Sequence, residues 1–246
     1  MPALGTVYLI PTFLHEEALE TIPAYMLENI KKCQVIFSEN EKMTRRYFRK
    51  LNPFIVIEKF EWYATHKAEM EVQTDFKKHL LAGKNIGIIS DAGCPCIADP
   101  GQILVALSHK MGAVIKPLVG PSSILLALMA SGMNGQQFQF NGYLPIDNIE
   151  RKTAIKNLDA YSAKNNTTQI FIETPYRNNH LIKELLMHCK PSTMLCIAVD
   201  ITSPTESIIT KTIEQWKATP IDIHKRLAIF LILAGVSKFN DGLIEV

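Results

Sequence analysis

The stretch IGIISDAGCPCIADPG, Ile86 to Gly101, decides how the chain is read. Ile86–Ile89 is a short apolar run that stops at Ser90. Its length and abrupt polar end mark a buried strand of a parallel sheet. Ser90 to Gly101 then hold two aspartates, two prolines, two glycines and two alanines. Such a loop can lay bare backbone N–H and C=O groups against a ligand, because Gly and Ala carry no bulk. It can equally start the next helix, with Asp99 as N-cap and Pro100 in the first helical position. Asp99 is expected to cap.

Outward from this loop, strands and helices alternate. Thr6–Pro11, Val35–Phe37 and Phe54–Ile57 read as strands, and Val114-Ile115 as a fifth after Ile86–Ile89. Leu19, Ile22, Met26, Leu27 and Ile30 recur at helical spacing, and Glu41–Lys50, Lys67–Leu81 and Ile103–Met111 also read as helices. Gly83 is a candidate C-cap. This alternation predicts a parallel sheet with helices on both faces. Ligands of such sheets bind at the carboxyl ends of the strands. The ends in question are Pro11–His15, Glu39 and Ser90–Gly101.

The pattern changes after Gly120. An apolar helix, Ser122–Ser131, is followed by Phe138–Leu144, whose alternation suggests an antiparallel strand. Ile149–Ala163 and Asn178–His188 read as helices. Gln169–Ile172, Met194–Val199, Ser207–Thr212 and Leu227–Leu233 read as strands, the second and third as a hairpin pair. The fold class is α/β, with a parallel sheet in a first domain, 1–118, and a mixed sheet in a second, 119–246.

Composition narrows the function classes. The 246 residues are 47% apolar and 20% charged, with net charge +2, which is ordinary for a globular chain. Each half carries +1, so neither is a basic nucleic-acid module by net charge. The longest apolar-plus-Gly run, Leu227–Val236, is far shorter than the roughly 18–20 residues of a membrane helix. Five cysteines and no secretory signal in MPALGTVYLIPT point to reduced thiols in the cytoplasm. Cys94 and Cys96 lack zinc spacing and a nearby Cys/His pair, so no metal is expected. Neither G-x-G-x-x-G after the first strand nor G-x-x-x-x-G-K-[ST] is present, which disfavours Rossmann and P-loop enzymes.

Seven segments, in order, carry a resemblance. They are GTVYLIPTFLHE (5–16), SENEK (38–42), SDAGCPCIADPG (90–101), KPLVGPSS (116–123), SGM (131–133), FNGYLP (140–145) and IETPYR (172–177). Together they resemble the tetrapyrrole methylase superfamily, and within it the ribosomal RNA small subunit methyltransferase I branch. The likeness is to a short form, ending at Val246 before that branch's C-terminal extension. The resemblance implies two α/β domains with S-adenosylmethionine in the cleft between them, and a homodimer. It implies that Asp91, Ala92, Gly93, Cys96 or Ile97, Ser122, Ser123, Glu173, Thr174 and Ile201 contact the cofactor. Helix capping is the competing role for Ser122 and Ser123. Departures gather on the acceptor side: SENEK keeps Glu39 but loses an aspartate and an arginine, and PTFLHE loses a glycine.

Methyl transfer to a ribose hydroxyl needs alignment and a proton acceptor. Glu39 is the first candidate base and Glu69 the second, with His66 and His15 as alternatives. Lys42, Arg45, Arg46 and Arg49 share one helical face and could track RNA phosphates, or form a solvated face. Arg151, Lys152 and Lys156 make a weaker second set. The expected activity is S-adenosylmethionine-dependent 2′-O-methylation of small-subunit ribosomal RNA. Methylation of a tetrapyrrole or other small molecule, and cofactor binding without turnover, are the alternatives.

Overall fold

The computed structural model describes residues 3–65 and 69–235, with the side chains of residues 69 and 70 excepted. The chain divides into two compact units, Met1–Ser122 and Ser123–Val246.

In the first unit, β1 (Val7–Ile10), β2 (Val35–Ser38), β3 (Glu61–Ala64), β4 (Ile86–Ile89) and β5 (Ile115–Pro117) form one sheet in the order β3-β2-β4-β1-β5. Every pairing is parallel. Because side chains alternate across a strand, the sheet feeds two cores. Tyr8, Ile10 and Ile36 pack with Met26 and Ile30 of α1 (Met26–Ile30) and with Tyr47 and Phe48 of α2 (Glu41–Leu51). Val7, Val35, Phe37, Ile86 and Ile88 pack on the other face against α3 (Glu69–Leu81) and α4 (Gln102–Met111). Gly83, at φ +75, lies two residues past the end of α3 and donates its N–H to the Leu80 carbonyl.

The third strand lies later than the apolar pattern predicts. Asn52 turns the chain there: its side chain accepts from the Phe54 N–H and its carbonyl from the Ile55 N–H. Phe54 is left 90% exposed, and Ile57–Lys59 forms a single 3-10 turn. The strand that pairs with β2 is the less apolar Glu61–Ala64, whose Tyr63 ring stacks on Phe37. Contact with a buried ring outweighs local apolarity here.

In the second unit, β6 (Phe138–Tyr143), β7 (Thr168–Ile172), β8 (Met194–Val199), β9 (Ser207–Thr212) and β10 (Ala228–Leu233) form a mixed sheet ordered β6-β7-β10-β8-β9. Its helices are α5 (Ser123–Ser131), α6 (Asn148–Asn165), α7 (Asn178–His188) and α8 (Ile213–Lys217). β8 and β9 pair antiparallel, as the hairpin reading requires. β10 lies between β7 and β8, antiparallel to both, and all six of its residues are buried. β6, however, runs parallel to β7, correcting the antiparallel expectation. The intervening α6 is a crossover that brings the chain back in the same direction.

Candidate functional site

The site-forming end of the first sheet follows from its strand order. The chain leaves β2 toward β3 on one side and leaves β4 toward β5 on the other. Neighbouring strands whose connections diverge open a crevice at their carboxyl ends, where α/β sheets take ligands. Glu39 directly follows β2, and Ser90–Gly101 directly follows β4.

The loop is held from several sides. Thr12, just beyond β1, donates its N–H to the Gly93 carbonyl at 2.9 Å and its hydroxyl to the Ser90 carbonyl at 3.3 Å. The Cys94 thiol lies 3.5 Å from the Pro121 carbonyl. Gly93 sits at φ +69, and a Cβ there would stand 3.1 Å from a Leu14 methyl. Cys96 and Ala98 hold the left-handed region at φ 69 and 63 without being glycine. Such strain persists only where surrounding contacts enforce it, and it clusters at functional sites.

Three carboxylates meet here. The Asp91 N–H donates to Oε2 of Glu39 at 3.3 Å. Asp91 Oδ1 is buried without a hydrogen-bond partner. Burial raises the Asp91 pKa, the Glu39 charge raises it further, and a hydrogen bond from the Asn40 backbone opposes both. Asp99 is pushed up to about 6, first by burial and then by Glu39, with a smaller push from Asp91 and an opposing hydrogen bond from Ser90. An acid in this range can take or give a proton near neutrality.

Asp99 is not the helix cap that its spacing suggested. The N-cap of α4 is Gly101, at φ +122, and no side chain caps the helix. The strained turn through Cys96 and Ala98 diverts Asp99 instead into the wall of a cavity of about 220 Å³, with Thr65, Val72, Gln73 and Gln102. What α2 uses as its cap is Asn40, whose side chain accepts from the Met43 N–H. This residue stands where the resembled motif has an aspartate.

The other expected residues fall in several places. Cys96 turns inward, and its sulfur would be 2.9 Å from a Cβ on Gly101; Ile97 is 52% exposed. Glu69 opens α3 by its backbone, but its side chain lies outside the described residues, as does all of His66. His15 accepts from the Glu17 N–H in an exposed turn. Ser122 ends the first unit and Ser123 begins α5.

In the second unit, Glu173 follows β7 and is buried. Its Oε1 accepts from the Thr174 N–H, and from Arg177 Nε at 2.9 Å and Nη2 at 2.7 Å. Ile201 is buried between Asp200 and Thr202, both at positive φ, so this backbone is held in an uncommon shape. Asp200 is fixed by Arg226 Nε at 2.7 Å. The Arg177 clamp was missed by sequence reasoning; its signal was the i, i+4 spacing from Glu173.

The basic face of α2 is partly neutralised. Arg45 pairs with Glu41 and lies over the Trp62 ring, 5.0 Å from its centroid. Arg46 and Lys50 both pair with Glu16. Lys42 and Arg49 are exposed. The expected second basic set loses Arg151, which is 2% exposed and donates to the carbonyls of Pro145 and Ile146. Its guanidinium also meets Asn148 and His180, so this arginine is taken up by its own unit rather than offered to a ligand.

Residues 18–217 match the family described as Tetrapyrrole (Corrin/Porphyrin) Methylases. The chain belongs to the tetrapyrrole methylases. As a member of that family, it is an S-adenosylmethionine-dependent methyltransferase. This methylase is 29% identical over 211 residues to a protein of Halalkalibacterium halodurans named Ribosomal RNA small subunit methyltransferase I, covering 86% of this chain and 69% of that one. Its fold is similar to the methyltransferase CobJ, with TM-score 0.62, 16% identity and 94% of each chain covered. It is likewise similar to the uroporphyrin-III C-methyltransferase of Thermus thermophilus complexed with S-adenosylhomocysteine, with TM-score 0.57, 16% identity, and 94% of this chain and 99% of that one covered.

Proposed function

We propose that this methylase transfers a methyl group from S-adenosylmethionine to a ribose 2′-hydroxyl of small-subunit ribosomal RNA. The observation that carries the reading is the carboxylate cluster at the switch point of the first sheet, in a chain related to proteins named for that RNA. A hydroxyl is a weak nucleophile and needs a nearby proton acceptor, which Glu39, Asp91 and Asp99 together can supply.

The cofactor residues proposed in the first unit are Asp91, Ala92, Gly93, Cys96, Ile97 and Ser122; those in the second are Ser123, Glu173, Thr174 and Ile201. The residues present fit the group. The orphaned Asp91 Oδ1 suits a ligand with hydroxyl or ammonium donors, and bare backbone at Gly93 allows close approach. When bound, S-adenosylmethionine supplies an electrophilic methyl. On the acceptor side, the exposed Lys42 and Arg49, with Arg45 and Arg46, form the proposed phosphate-tracking face of α2. Glu39 and Glu69 remain acceptor-side carboxylates in this reading. Among the described residues no helix is long and apolar enough to cross a membrane. A cytoplasmic setting and a homodimer complete the proposal, on the strength of the substrate and the family likeness.

The test supplies methyl-labelled S-adenosylmethionine with small ribosomal subunits in one arm and a precorrin-like tetrapyrrole in the other. Label in ribosomal RNA, at a nucleotide whose 3′ bond resists alkali, is expected. Label entering only the tetrapyrrole refutes the RNA reading. Tight cofactor binding with no transfer to either acceptor favours a non-catalytic binder.

A further inference from the structure

We propose that Asp99, rather than Glu39, is the proton acceptor of methyl transfer, and that the cavity it lines admits the acceptor's reacting hydroxyl. This inference rests on the hydroxyl-methylation reading above. Its starting observation is geometric. Asp99 carries no helix-capping duty, since Gly101 caps α4. Asp99 instead lines the cavity of about 220 Å³, with Thr65 just after β3, Gln73 of α3 and Gln102 of α4. That volume takes a group of several heavy atoms, and the polar lining offers hydroxyl and amide partners to orient it. On its other side Asp99 meets Ser90, Asp91 and Glu39, the loop proposed to hold the cofactor. One acidic residue therefore borders both the cavity and the proposed cofactor loop.

Glu39 suits a positioning role better. Its Oε2 accepts the Asp91 N–H, so it braces the loop. Its charge also acts on both aspartates. Among the described residues, the titratable groups facing Asp99 are Glu39, Asp91 and the Cys96 thiol, and α3 and α4 bring the uncharged Val72, Gln73 and Gln102. Burial and the charges of Glu39 and Asp91 outweigh the hydrogen bond from Ser90, so Asp99, pushed up to about 6, is a competent base just above that pH. In the reaction the acceptor O–H proton passes to the Asp99 carboxylate. The freed oxygen pair forms the new O–C bond. The methyl–sulfur bond breaks with its pair left on sulfur, giving neutral S-adenosylhomocysteine. The proton then leaves Asp99 for water.

Three variants and two readouts decide it. In substrate-free protein, the Asp99 carboxyl is followed by carbon NMR, assigned by its loss in Asp99→Asn. A titration near 6 is expected, moving lower in Glu39→Gln, which removes a facing charge. Kinetically, kcat for wild type should fall below about pH 6. Asp99→Asn should lose transfer by roughly 10²–10⁴-fold and lose that limb, while binding S-adenosylhomocysteine within a few-fold of wild type. Asp99→Glu should recover part of kcat and restore the limb, which a merely structural role would not do. Glu39→Gln should keep the limb at lower pH. The proposal is overturned if Asp99 titrates in the ordinary carboxylate range, or if the limb survives Asp99→Asn and vanishes in Glu39→Gln. Wild-type protein inactive on ribosomal RNA would instead remove the substrate reading, and the NMR titration would still decide whether Asp99 is poised as a base.

Discussion

Replacing Asp99 by Asn should make the protein more stable at neutral pH, and by an amount that depends on pH in a defined way. The side chain is half-buried beside two other carboxylates, and its pKa rises from 3.8 to about 6 on folding, chiefly through burial and then through Glu39. A raised carboxyl pKa means that the folded state binds the proton more tightly than the unfolded state. Stability is therefore lost as pH rises through the window from 3.8 to about 6 and stays lost above it. The full shift corresponds to about 3 kcal/mol, and partial exposure with solvent screening reduces this to about 1–2 kcal/mol. Asn cannot ionise and keeps the shape, so it escapes the penalty. Urea unfolding at about pH 7.5 should place Asp99→Asn about 1–2 kcal/mol above wild type, the gap shrinking steadily toward about pH 4.5. A gap that is absent, inverted or independent of pH would refute the reasoning that these carboxylates strain one another. Removing strain at the expense of activity is the usual pattern where a site is destabilised for its chemistry.

Other perturbations report on separate parts of the molecule. At Gly120 an added Cβ would lie 2.2 Å from Cβ of Pro11, whose ring cannot swing aside. Gly120→Ala should cost about 1–3 kcal/mol or more and lower Tm by several degrees in calorimetry; an unchanged Tm would show that the segment after β1 yields freely. Arg177→Ala leaves Glu173 buried without its cation, since the side chains are 33% and 2% exposed. The expected loss is about 2–4 kcal/mol in urea unfolding, below the value for a wholly buried pair, with Arg177→Lys intermediate. On α2, Arg49→Ala and Lys42→Ala should each weaken RNA binding and reduce the slope of log affinity against log salt by about 1. Arg46→Ala should do less, because Arg46 already pairs with Glu16; equal slopes for all variants would remove α2 as the phosphate-tracking face.

Much of the fold was legible because apolar runs and their punctuation are local. Ile86–Ile89 and Met194–Val199 form at the positions read from the sequence, since buried strands of this length admit few alternatives. The third strand was not legible: Phe54–Ile57 is apolar, yet it turns after Asn52 with Phe54 and Val56 exposed, and Glu61–Ala64 pairs because Tyr63 meets Phe37. The direction of β6 depends on the crossover through α6, not on its own alternation. Arg151 shows the same limit in a side chain, reading as a surface cation while it is buried and donates to the carbonyls of Pro145 and Ile146.

For the site, the sequence by itself determined the loop, its bare backbone and the acids Glu39 and Asp91, because residue types that bare the backbone or carry charge are visible without coordinates. Tertiary structure decided what those acids do to one another. Glu39 and Asp91 are 52 positions apart, and only the parallel pairing of β2 with β4 brings them within hydrogen-bond reach. Asp99 is a cavity-lining acid rather than a helix cap because the turn through Cys96 and Ala98 leaves Gly101 at the cap position. A carboxyl's protonation is set by burial and by neighbouring charge, and both are properties of the folded space around it rather than of its place in the chain.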